Sequence, residues 1–200
     1  MDIVRDLNPL FDYIKSAIFN ELPHHLTYHN LSHTENVMKN AWILALHAGL
    51  DDQETRILYV AAMLHDTGYG KKYVANEGVA AMLASKLLPD YGFNESEIEL
   101  IKSMILATNL LITPTDKLES YMIDADMGYL GQEDFFEWSN NLKKEWEAHG
   151  TFEGDDKEWI NIQISFLTKF QFTSKEAIAL FDPGKQKHIE RLKGMDAWPY

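Results

Sequence analysis

The chain has 200 residues, a net charge of −13 and no cysteine. Disulfides, thiolate metal sites and cysteine nucleophiles are thereby excluded, any metal must be held by His, Asp or Glu, and so acidic a chain is a poor partner for a nucleic-acid polymer. With 46% apolar residues it has ordinary globular composition and the length of one domain with its own core, so a single domain over residues 1–200 is expected.

The first segment, MDIVRDLNPLFDYIKSAIFNEL, carries acids early and is amphipathic, with Ile3, Leu7, Leu10, Ile14 and Ile18 on one helical stripe. It lacks the basic start and unbroken apolar stretch of a secretion signal. No run approaches the ~20 apolar residues of a membrane span, so no membrane partner and a cytoplasmic location are expected.

Helical spacing continues along the chain, with no sustained strand alternation. Residues 33–48 place Val37, Ala41, Leu44 and Ala48 on one face before Gly49. Asp51 followed by Glu54 predicts a capping-box start for a third helix, which should end near His65 to Gly68. A fourth is predicted over Asn76–Leu88 before Pro89, and a fifth starts at Asn94 with Glu97 three residues later. Leu118–Leu130, Glu133–His149, Lys157–Phe170 and Ser174–Phe181 complete the set. Residues 150–156, GTFEGDD, read as a loop or hinge, and Asp182-Pro183-Gly184 as a break before a short terminal helix. Trp138, Trp146, Trp159, Phe166 and Phe170 have ordinary core spacing. The fold class is all-α with irregular packing.

Three stretches carry candidate chemistry. In YHNLSH, His29 and His33 are four apart and, within one helical turn, would face the same way; the spacing serves two metal ligands, or one ligand beside a proton donor, but for the pair in isolation capping or surface histidines are the favoured explanation. His24, His25, His47, His149 and His188 stand in no motif. In LHDTG, His65 and Asp66 directly follow the apolar run YVAAML, and a buried carboxylate needs a cation or donors. In YMIDADMGYLG, Asp124 and Asp126 lie among apolar neighbours and pose the same demand. Imidazole and carboxylate together suit Mn, Fe, Zn, Mg or Ni without choosing among them.

The ordered set of His33, His65-Asp66 and a later aspartate in an all-helical chain resembles the HD superfamily of metal-dependent phosphohydrolases. The resemblance implies one irregular multi-helix bundle, with a motif-bearing core over about 28–131 and the C-terminal helices docked on it. Carried over by position, His33, His65, Asp66 and Asp126 would be the metal ligands; Asp126 is preferred because it follows a small residue and precedes an apolar one, and Asp124 is its runner-up. YHNLSHTENV also resembles the start of the catalytic region of class I cyclic nucleotide phosphodiesterases, which makes His29 the candidate general acid.

That likeness is incomplete. Tyr69 and Lys71 stand where those phosphodiesterases carry a further histidine, and Asn76, Glu77, Thr108 and Asn109 occupy neighbourhoods where many HD proteins have histidines. One divalent ion is therefore expected, with Asp66 able to bridge to a weaker second one. MILATNL, DADMGYLG and PGKQKHIERL look most like a small, single-domain bacterial HD group.

The implied activity is hydrolysis of a phosphoester of a nucleotide or similar small molecule by metal-activated water, with Asp66 or Asp126 accepting the water's proton. Lys71 and Lys72 are candidate phosphate contacts, and Glu77 and Asp124 candidate supports for the ligands. The competing expectation is a non-catalytic sensor or interaction domain with a structural metal. An HD lyase or oxygenase would need a mixed-valent iron pair, against which the missing histidines argue. The composition would permit a homodimer.

Overall fold

The computed structural model describes residues 6–200; Ile3 lies outside them. Among the described residues there are nine α-helices and no strand. They are α1 (Asn8–Ala17), α2 (Leu31–Ala48), α3 (Asp52–Leu64), α4 (Asn76–Leu87), α5 (Glu95–Ala107), α6 (Lys117–Asp126), α7 (Phe135–Ala148), α8 (Asp156–Lys169) and α9 (Lys175–Lys193). None of them is long and apolar enough to cross a membrane.

Local chemistry sets most boundaries. Capping boxes open α3 (Asp51 with Glu54), α5 (Asn94 with Glu97), α6 (Asp116 with Glu119) and α8 (Asp155 with Glu158), each satisfying two otherwise orphaned backbone donors. Asn30 caps α2, its side-chain oxygen accepting from Ser32 and His33 N–H. Gly49 ends α2 in the left-handed region at φ 66°, where a Cβ is costly. The α1 helix is shorter than its apolar stripe and gives way to a 3₁₀ turn over Phe19–Glu21.

α2 packs along α3, α4 along α5, and α6 lies against α2, α3 and α5. Their facing side chains, among them Leu44, Leu58, Met63, Ile101, Met104 and Met122, are fully or nearly fully buried, so the hydrophobic effect fixes these helices relative to one another. In this arrangement the start of α2 meets the ends of α3 and α6. All three motifs therefore come to one end of the bundle.

The Asp182-Pro183-Gly184 stretch does not break the chain. α9 runs through Pro183, although proline removes a helical N–H. Gly184 lies against the Gly131 backbone, and Gly131 against that of Phe181, which seats α9 on the 3₁₀ turn Met127–Gly131 just beyond Asp126. Fully buried Lys185 donates to Phe170 O at 2.7 Å and pairs with Asp182 at 2.8 Å. Tertiary contacts here outweigh the local breaker.

Because a Cβ at Gly131 would run into the Phe181 carbonyl, Gly131→Ala should cost about 1–3 kcal/mol. Thermal unfolding should show a midpoint several degrees lower, and an unchanged midpoint would contradict this packing.

Candidate metal centre

His33 occupies the first turn of α2, His65 the C-cap of α3, Asp66 the next position, and Asp126 the last turn of α6. All four are buried. His33 Nε2 lies 3.1 Å from Asp126 Oδ1 and 3.3 Å from Asp66 Oδ2; His65 Nε2 lies 3.1 Å from Asp66 Oδ2 and 3.7 Å from Asp126 Oδ1. The two Nε2 atoms are 3.3 Å apart. His33, His65 and Asp66 can each direct a ligand atom to within 4.8 Å of the others.

This grouping demands a positive charge. His65 Nδ1–H donates to Ala62 O at 2.8 Å, so in the neutral ring Nε2 presents a lone pair to the cluster. Asp66 Oδ2 is buried and lacks a hydrogen-bond partner. Two carboxylates and two ring nitrogens thus converge with too few hydrogens between them. Without a cation, a proton on His65 compensates: burial would lower its pKa, but Asp66 and then Asp126 outweigh that and raise it to about 9. Burial would likewise raise Asp66, yet the facing histidines hold its carboxyl well below the usual range. The donor set fits a divalent ion, and the ends of α3 and α6 direct negative dipole ends toward it.

The turn after Asp66 is fixed by packing. Thr67 Oγ1 donates to Leu64 O at 2.7 Å, and a Cβ on Gly68 would collide with the Asn76 carbonyl. Tyr69 follows in the 3₁₀ turn Thr67–Gly70.

His29 stands beside the cluster, its ring centroid 6.0 Å from that of His33. Its Nδ1 is bonded to Glu145 Oε1, and its Nε2 is 2.9 Å from the Tyr69 hydroxyl. The side chain of Glu145 is fully buried. Its carboxylate also accepts from Tyr28 N–H (2.8 Å), His29 N–H (3.0 Å) and Tyr73 O–H (3.0 Å). Glu145 escaped the sequence reading because KKEWE resembles a solvated face; the available signal was that it continues the α7 stripe of Trp138 and Leu142.

The other expected residues lie differently. Asp124 is buried but turned from the cluster, accepting from Thr173 N–H, Thr173 Oγ1–H and Ser174 N–H at 2.7–3.2 Å. It ties α6 to the start of α9. Glu77 is half-exposed on the first turn of α4, and it is Ala62 O, not Glu77, that orients His65. Lys71 and Lys72 are exposed beyond the 3₁₀ turn. His149 stacks on Tyr73 at 3.6 Å, whereas His188 bonds Gln132 O and stacks on Phe135. Trp138 is half-buried with its ring 6.1 Å from that of His33.

The geometry separates the two aspartates in solution. Asp126→Asn should lower divalent-metal affinity at least about 10-fold with little loss of stability in the metal-free protein, whereas Asp124→Asn should retain metal and unfold more readily; metal content and melting curves of the metal-free forms together check this. Glu145 supplies a pH test. Burial would raise its pKa, but His29 and the backbone donors hold it below the ordinary 4.5. A carboxyl depressed in the folded state contributes stability above its unfolded pKa and loses it as pH falls through the folded value. The stability gap between wild type and Glu145→Gln should therefore be widest near neutrality and close as pH falls below about 4, as melting temperatures across pH would report.

No protein-family model matches the chain. An uncharacterised protein of Clostridium beijerinckii is 35% identical over 81 residues, or 39% of this chain and 51% of that protein. The chain thus spans about half the length of this curated relative. A crystal structure described as a predicted HD superfamily hydrolase, from an uncultured Thermotogales bacterium, superposes with a TM-score of 0.56 at 21% identity, covering 96% of this chain and 88% of that one. The helical architecture that gathers His33, His65, Asp66 and Asp126 is that of an HD-domain fold.

Proposed function

We propose that the protein is a metal-dependent phosphohydrolase acting on a small phosphorylated molecule, with nucleotides the leading class. The observation that carries this reading is the buried convergence of His33, His65, Asp66 and Asp126 beside a histidine held by a buried glutamate. HD-domain architecture in a structure described as a hydrolase supports it.

His33, His65, Asp66 and Asp126 would hold one divalent ion, and Asp66 would bridge to a weaker second one. When bound, such an ion supplies Lewis-acid polarisation of the phosphoryl group and acidifies water. The chain's own residues do the rest. Asp66 or Asp126 accepts a proton from the attacking water, and His29 is the proton source for the leaving oxygen. Glu145, through Nδ1, fixes the ring's orientation and leaves Nε2 on the side of the Tyr69 hydroxyl. Lys71 and Lys72 would meet phosphate charge from the exposed turn. The expected setting is the cytoplasm.

One observation favours a second reading. Both ring nitrogens of His29 are already engaged, by Glu145 and Tyr69, as they would be in a purely structural network around a structural ion.

A panel of cyclic nucleotides, nucleoside monophosphates and an aryl phosphodiester, tested with manganese-loaded protein, separates the two. Catalytic use predicts turnover of at least one ester, and a loss of ~10²–10⁴-fold in His29→Ala with metal content intact. No turnover by metal-loaded, folded protein, or full activity in the variant, would refute the proposed role.

A further inference from the structure

Given the metal-dependent reading above, we infer that Asn40 is a positioning residue of the metal centre: its side-chain amide, braced by Gln132, grips the Ala125 carbonyl and thereby sets Asp126 against His33. Asn40 is fully buried on α2, seven residues after His33. Seven residues are nearly two helical turns, so the two side chains lie on nearly the same side of α2. α6 packs on α2 and ends at Asp126, directly after the residue whose carbonyl Asn40 holds.

The bonds run in one direction. Asn36 Nδ2 donates to Gln132 Oε1 at 3.0 Å, Gln132 Nε2 to Asn40 Oδ1 at 2.7 Å, and Asn40 Nδ2 to Ala125 O at 3.0 Å. The last acceptor fixes this polarity. A carbonyl can only accept, so it requires the NH2 of Asn40, and the Asn40 oxygen must then face a donor, which Gln132 supplies. Gln132 is itself tied down: its N–H donates to Tyr129 O at 3.1 Å, and its carbonyl accepts from His188 Nε2–H of α9 at 2.8 Å. The chain also leaves room for the amide. A Cβ on Gly128 would lie 2.6 Å from Asn40 Nδ2, so a glycine two residues beyond Asp126 lets Asn40 reach the end of α6.

A hydrogen bond weakens steeply with misalignment, so the Asn40 contact restricts rotation and sliding of the end of α6. Hydrophobic attraction between the helices is non-directional and does not do this. His33 Nε2 and Asp126 Oδ1 are 3.1 Å apart, and the helices that carry them are joined at this bond. Asp124 ties the same stretch of α6 to Thr173 and Ser174 instead. The end of α6 thus has one polar tie that bears on the metal centre and another that bears on the C-terminal helix.

The test measures divalent-metal binding and needs no substrate. Manganese affinity by calorimetry and the visible spectrum of the cobalt-loaded form are recorded for wild type, Asn40→Leu, Gln132→Leu and Asp124→Asn. Asn40→Leu removes both amide bonds at similar side-chain size, and manganese affinity should fall ~10-fold or more. Its cobalt bands should change as Asp126 alters its approach. Gln132→Leu leaves Asn40 unbraced and should weaken manganese binding in the same direction, by about 3-fold or more. Asp124→Asn should melt earlier yet keep the affinity and cobalt bands of wild type, although it loosens the same helix. Unchanged affinity and spectrum in folded Asn40→Leu would overturn the inference. An Asp124→Asn loss as large as that of Asn40→Leu would also overturn it, by making the loss a consequence of general loosening. Should Asn40→Leu not fold, Gln132→Leu, at a half-buried position, decides by the same measurements. A wild type that binds neither ion would overturn the metal-dependent reading, and this inference with it.

Discussion

The structure turns on a charge problem in a dry place. Two carboxylates and two imidazole nitrogens face one another at 3.1–3.7 Å in a buried pocket, where an unpaired anion is costly. A chain would not keep such a group unless something positive resolved it. Three helices are arranged to meet at that point, and two of them bring their negative ends. The apolar packing among α2, α3, α5 and α6 holds the acceptors together against their repulsion.

A second polar network lies beside the first and is tuned differently. Around Glu145 the accounting is complete, since every donor aimed at the carboxylate has its acceptor. One site therefore invites a cation, whereas its neighbour is satisfied by the protein alone. That contrast gives His29 a fixed orientation beside the cluster.

Local signals were enough for the bundle and for one line of the site. The capping pairs Asp51/Glu54 and Asn94/Glu97 were legible because their bonds close within one turn. His33, His65 and Asp66 were legible because charge inside an apolar pattern is conspicuous. The two aspartates of α6 were harder: residues two apart on a helix point about 200° from each other, so only one can face the cluster, and the face is decided by what packs against the helix. Glu145 was invisible because its partners at Tyr28 and His29 lie more than a hundred positions away. Pro183 misled for a related reason: the contact that carries α9 through it comes from Gly131, in another part of the chain.

The end of α6 serves two masters two residues apart. Asp124 clasps the start of α9 through Thr173 and Ser174, and Asp126 faces the cluster; the turn just beyond then carries Gly131 against α9. Whatever binds at the cluster thus also steadies the seat of the C-terminal helix, and by reciprocity a firmly seated C-terminal helix tightens the grip on whatever binds. Regions of the chain far from any ligand atom are in this way part of the site's affinity.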